Sequence, residues 1–126
     1  MKTYHKYYKI KAEKEEVYNA LVKPFAIALW TGFPAEMTEK ADTEFSLFNG
    51  DIIGKNIEFV KHEKIVQEWY FGEQEKQSIV TIKLTQEKMN TIIELTHSNI
   101  PDQAFQDMKN GWDNYYFGGL QDFFHH

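Results

Sequence analysis

The stretch Ile100–Phe124, IPDQAFQDMKNGWDNYYFGGLQDFF, constrains the fold more than any other part of this chain. Ala104, Met108, Trp112, Tyr115 or Tyr116, Leu120 and Phe123 recur at steps of three and four, the spacing of one helical face. Asp102, following Pro101, is predicted to cap and start that helix, because a short side-chain oxygen can accept from the free N–H groups of a first turn. Gly111, Gly118 and Gly119 fall inside the pattern, and each interior glycine costs about 1 kcal/mol against alanine. A helix that keeps three of them needs a close backbone approach or room beside it. Two readings stay open: the aromatic face packs on a sheet as solid core, or it roofs a cavity. Gly111 is placed on the sheet side, where a leucine is expected to disturb the contact.

The remaining composition says what such a helix can pack against and which partners it excludes. The chain has 126 residues, enough for one domain with one sizeable core. Apolar residues at 42 % and aromatics at 16 % supply ample surface to offset chain entropy, which argues for an ordered domain. A net charge of −5, with lysines interleaved among glutamates and no arginine, argues against a nucleic-acid partner. The absence of cysteine removes disulfides, thiolate metal sites and cysteine nucleophiles together. No apolar run approaches the roughly 20 residues of a membrane span, and MKTYHKYYK at the start has no signal-peptide core. The chain is read as soluble and cytoplasmic, as one domain over residues 1–124, with His125 and His126 set aside as a tag remnant.

Along the chain, Thr3–Lys11 is tyrosine-rich and alternating, as a first strand requires. Glu13–Val22 places Val17, Ala20 and Leu21 on one helical face, with acids in the first turn where the helix dipole favours them. Pro24 stops this helix and opens a second, Phe25–Trp30. Residues 31–41, with Gly32 and Pro34, read as irregular chain. From Asp42 the period becomes two. Thr43, Phe45 and Leu47 lead to Asn49-Gly50, a hairpin-turn signal because both residues accept positive φ. Ile52–Val60 returns, with Gly54 marking a bulge or bend. His62-Glu63 turns the chain, and Ile65, Gln67, Trp69 and Phe71 then share one strand face. Gly72–Gln77 reads as an exposed loop, Ser78–Thr85 and Thr91–Ser98 as two further strands joined by a turn at Glu87–Asn90. One strand, two helices, five strands and a helix, with short turns between the later strands, make an α+β fold with an antiparallel sheet covered by the last helix.

Catalytic chemistry finds little support in these residues. His5, His62 and His97 show no helical metal-ligand spacing. Glu68 and Glu94 are central in their strands and could form an acid–base pair, but if Trp69 points inward, alternation sends Glu68 to solvent. His97 shares a face with Ile93 and Leu95; a histidine there is more often a hydrogen-bonded core group than a base. The Tyr115 and Tyr116 hydroxyls could anchor a bound molecule or a backbone carbonyl. No cofactor motif is present, GGL at Gly118–Leu120 being helical rather than a phosphate loop.

Five segments carry a family resemblance: EEVYNAL at Glu15–Leu21, FSLFNGDIIGKNIEFV at Phe45–Val60, KIVQEWYF at Lys64–Phe71, SIVTIKL at Ser78–Leu84 and GWDNYYFGGLQDFF at Gly111–Phe124. In order and spacing over nearly the whole chain, the sequence resembles the C-terminal-type domain of activators of heat shock protein 90 ATPase, in the START-like (SRPBCC, birch-pollen-allergen-like) superfamily. The resemblance implies a helix-grip fold: a curved, six-stranded antiparallel sheet around a long C-terminal helix, with a cavity between them. It implies either a binder of small hydrophobic molecules or a co-chaperone-like partner of heat shock protein 90. A cyclase or hydrolase using His97 ranks last. The family's eukaryotic activators carry a separate N-terminal domain that makes much of the chaperone contact, so no chaperone-contact residue is carried over. The expected ligand-binding residues are Phe45, Trp69, Phe71, Leu95, His97, Met108, Trp112 and Tyr116, with Trp30 near the mouth. An exposed apolar patch including Phe25, Phe33 or Phe124 would instead favour a protein partner.

Overall fold

The computed structural model describes residues 1–125; the assignment of His126 to a tag lies outside the described residues. The chain runs β1 (Lys2–Ile10), α1 (Lys14–Val22), α2 (Pro24–Thr31), β2 (Glu44–Leu47), β3 (Ile52–Val60), β4 (Lys64–Trp69), β5 (Ser78–Glu87) and β6 (Asn90–Ile100). A 3₁₀ turn at Asp102–Ala104 then leads into α3 (Phe105–Gly111), a π-helical turn at Trp112–Tyr116, and α4 (Phe117–Phe123). The six strands form one antiparallel sheet in the order β1-β6-β5-β4-β3-β2, so the first strand closes against the last. This is the expected α+β, helix-grip architecture. Strand alternation decides which residues face inward: Ile65, Gln67 and Trp69 on β4, and Val80, Ile82 and Leu84 on β5, are all buried.

Several local expectations need correction. The extra residue on β3 lies at Ile57, between Asn56 and Glu58, and Gly54 makes no bulge. Gly54 is instead a place of close approach, since a Cβ there would stand 2.0 Å from the Glu68 carbonyl oxygen and 2.8 Å from the Phe45 ring. The β2–β3 connection is longer than a two-residue turn: Phe48, Asn49 and Gly50 all have positive φ, and Asp51 closes the loop. Asp102 caps no helix; its carboxylate lies 3.0 Å from the N-terminal ammonium of Met1.

The last helix is one rod with a wide turn in it. The π turn adds a residue to the helical repeat and rotates the buried face, so that Trp112, Tyr116, Phe117 and Leu120 are buried while Tyr115 and Phe123 are exposed. Phe117, absent from the expected face, is fully covered. Gly118 follows from the same widening: the Asp113 carbonyl oxygen stands 2.3 Å from where its Cβ would be, so no larger residue fits without movement. Gly111, by contrast, has nothing within 4 Å of its Cβ position, so it does not make the close approach to the sheet expected of it. A Cβ added at Gly119 would meet Trp30 at ordinary contact distance.

Candidate functional site

Where the first half of the long helix diverges from the β2–β3 end of the sheet, an open cleft of about 320 Å³ remains. Trp69 on β4 and Trp112 at the start of the π turn form one side of it, their rings stacked with centroids 4.7 Å apart and planes at 24°. Met108, Gly111, Tyr115 and Tyr116 of the helix, Phe48, Asp51 and Ile52 of the β2–β3 turn and Phe33 after α2 complete the lining. Six of these ten residues are aromatic.

The two tryptophans are held by separate polar chains. The Trp112 indole N–H donates to His97 Nδ1 at 3.0 Å. Because indole can only donate, His97 must carry its proton on Nε2, which donates to Ser78 Oγ at 2.7 Å, and that hydroxyl donates to the Ser98 carbonyl at 3.1 Å. Burial pushes the His97 pKa down to about 3, so the ring stays neutral. On the other side the Trp69 N–H donates to Gln67 Oε1 at 3.0 Å, and the Gln67 amide donates to Asn56 Oδ1 at 3.0 Å. The Asn56 amide is in turn bound by the Thr38 carbonyl and the Thr43 hydroxyl. Among the described residues no buried side-chain nitrogen or oxygen lacks a partner. Both indole donors are therefore spent inside the protein, and both rings are fixed before anything binds.

A third cluster fixes the helix to the edge strand. Tyr4 and Tyr8 hydroxyls donate to Asp113 Oδ1 at 3.1 and 2.7 Å, and Lys6 Nζ donates to the same oxygen at 2.8 Å. Partial burial pushes the Asp113 carboxyl up, but the bonds from Lys6, Tyr8 and Tyr4 outweigh it and hold the group below the usual carboxylate range. The period-two series Tyr4, Lys6, Tyr8 was a readable sign of one strand face, but nothing in the sequence tied it to Asp113.

The expected binding residues divide between the cleft and the core. Trp69, Met108, Trp112 and Tyr116 line the cleft together. Leu95 and Phe45 lie in the core, Phe45 beneath Gly54. His97 is fully buried behind Trp112, and Phe71 lies half-buried with its ring 5.9 Å from His97. The Trp30 N–H donates to the Ala20 carbonyl at 2.7 Å, and its ring touches Phe48 and Tyr116 from the far side of the lining. Sequence reading missed Phe33, Phe48, Asp51 and Ile52, which come from a loop, a turn and a strand end, where no periodicity marks an inward side chain. Tyr116 is buried on the inner side of the lining, and that burial pushes the pKa of its hydroxyl up. Glu68 and Glu94 do not meet: β5 separates their strands, and Glu94 is bound by His5 and Tyr7 on the outer face. Among the described residues no three His, Asp or Glu side chains gather as a metal would need, and no helix is long and apolar enough to cross a membrane.

Comparison with known proteins places this architecture. A family model described as activator of Hsp90 ATPase homolog 1-like protein matches residues 11–125. The chain belongs to that family. The human activator of 90 kDa heat shock protein ATPase homolog 1 is 27 % identical over 112 residues, covering 87 % of this chain and 33 % of its own. The chain thus spans a third or less of the length of the curated relatives it matches. An HSP90 activator from Plasmodium falciparum superposes with a TM-score of 0.87 at 26 % identity, covering 96 % of this chain and 94 % of that one. The Aha1 dimer from Colwellia psychrerythraea shares the fold, with a TM-score of 0.82 at 19 % identity and coverage of 98 % and 96 %. Family membership also accounts for the START-like, helix-grip architecture.

Proposed function

We propose that this domain binds a small, largely hydrophobic molecule in the cleft beneath Met108 and Gly111. The observation that carries the reading is a cleft of about 320 Å³ whose aromatic walls are already fixed by hydrogen bonds. This is the scale of a small-molecule site, and a pre-formed wall avoids the cost of ordering side chains on binding. Burial of apolar ligand surface there contributes roughly 25 cal/mol per Å². The test is native mass spectrometry of protein purified from its own cells, followed by denaturing extraction. A stoichiometric passenger supports the reading, and its loss in Gly111→Phe, which places a ring in the cleft, assigns it to this site. Protein that stays empty and also fails to take up apolar probes overturns it.

A second reading is favoured by a separate observation. Phe25, Leu29 and Phe33, four residues apart along and just past α2, are 78 %, 57 % and 45 % exposed. Such an apolar ridge suits a protein partner, and the activators among the relatives suggest a chaperone of the heat shock protein 90 class. Phe25→Ser with Leu29→Ser should then abolish co-purification with, and ATPase stimulation of, that chaperone while the cleft still binds. Stimulation that survives both substitutions would sink this second reading.

A further inference from the structure

Resting on the cleft-binding reading, we infer that the cleft selects a hydrophobic molecule carrying one positive charge: a protonated amine or a quaternary ammonium on an apolar body. Asp51 is the one charged residue on the lining among the described residues. It takes part in no ion pair among them, so its carboxylate is not already neutralised by a lysine. It follows directly on the Phe48–Gly50 turn, whose left-handed backbone brings Phe48 and Asp51 to the same mouth.

The walls point the same way. Phe33, Phe48, Trp112 and Tyr115 offer aromatic rings within one small volume, and ring faces attract a cation through their negative quadrupole. An anionic head group meets the opposite situation. The Trp112 N–H is committed to His97 and the Trp69 N–H to Gln67, so neither indole can donate to it. No lysine lines the cleft, and the sequence contains no arginine. The Tyr116 hydroxyl serves either sign equally, as a donor to an anion or an acceptor from an ammonium. Site and overall charge of −5 therefore agree in sign.

The experiment compares three probes that share a ten-carbon chain: decyltrimethylammonium, decanol and decanoate, each below its micellar range. Each is titrated into wild type, Asp51→Asn and Gly111→Phe, with tryptophan emission and calorimetry as readouts. Trp69 and Trp112 line the cleft and report occupancy directly. The expected order is cation, then alcohol, then carboxylate, with the cation favoured over the alcohol roughly ten-fold at low salt. Asp51→Asn should cut that preference without weakening decanol, added salt should narrow it, and Gly111→Phe should remove all three. Equal binding of the three probes, or a preference unchanged in Asp51→Asn, overturns the charge selection while the cleft reading stands. Loss of all binding, or binding indifferent to Gly111→Phe, overturns the cleft reading and this inference with it.

Discussion

The two halves of the C-terminal helix meet the sheet in different ways. Beyond Gly111, Trp112, Tyr116, Phe117 and Leu120 are all nearly or fully covered, the Tyr8 ring lies 4.7 Å from that of Phe117, and Asp113 is tied to β1 by three donors. Before Trp112, the turns of Phe105–Gly111 bury no side chain completely, Phe105 and Met108 being only partly covered, and Met108 and Gly111 border open space. One helix therefore serves as keystone at its far end and as lip at its near end. The physical difference is cover and commitment: Trp112, Phe117 and Leu120 packed into the core with Asp113 tied to β1 on one half, a half-buried thioether and a hydrogen beside the cleft on the other. Stability should follow the first half of that division and binding the second.

Trp112→Ala is the strongest way to break this picture. The ring is 2 % exposed and contacts Trp69, Phe117 and Tyr116, so its loss should cost about 3–5 kcal/mol. It also leaves His97 Nδ1 without its donor, which adds the cost of an unmatched buried acceptor. Met108→Ala, half-buried at the lip, should cost roughly 1 kcal/mol or less. Urea unfolding of both variants decides it; equal losses would show that the two halves share the load.

His97 gives the next effect, read through pH. Its folded pKa is pushed down to about 3 from an ordinary 6.5, because burial disfavours the imidazolium. The unfolded chain then binds the proton first, so stability is intact above about pH 6.5 and drains as pH falls toward 3. This histidine should account for about 3 kcal/mol of loss by pH 4. His97→Gln should flatten the pH dependence of unfolding free energy in that window. A slope identical to wild type would show that His97 titrates freely and that the Trp112 anchor is not closed to water.

The fold was legible largely because strands announce themselves by alternation. Trp69 facing inward beside Ile65 and Gln67 follows from period two alone, and the resemblance of the segments around it implied the curved sheet before any coordinate. Four features were not legible, each for its own reason. The π turn settles the open choice between Tyr115 and Tyr116 in favour of Tyr116 and adds Phe117 to the buried face, and a 3.6-residue period cannot anticipate an inserted residue. Gly54 looked like a bulge but is a close approach to Glu68 and Phe45, a tertiary fact with no local sign. The cleft draws Phe33, Phe48 and Asp51 from irregular chain, so sequence reading reached only its helical and β4 sides. Asp102 looked like a cap, but an ammonium nearby is a stronger partner for a carboxylate than a backbone N–H.

The remaining test lies within the helix itself, where two glycines separated by seven positions should respond with opposite sign. Gly118→Ala forces a Cβ to 2.3 Å from the Asp113 carbonyl oxygen, and the π turn must shift to admit it, at a cost of about 1–3 kcal/mol. Gly111→Ala meets nothing within 4 Å, and its backbone, φ −63° and ψ −44°, is ordinary right-handed helix. Alanine there removes conformational freedom from the unfolded chain without strain in the folded one, so it should raise stability by about 0.5–1 kcal/mol. Parallel thermal and urea unfolding of the two variants measures both signs at once. A loss at Gly111 comparable to that at Gly118 would mean that the lip is packed as tightly as the keystone, leaving no room for a bound molecule. A gain at Gly111 with unchanged probe binding would separate the stability of this domain from the geometry of its cleft.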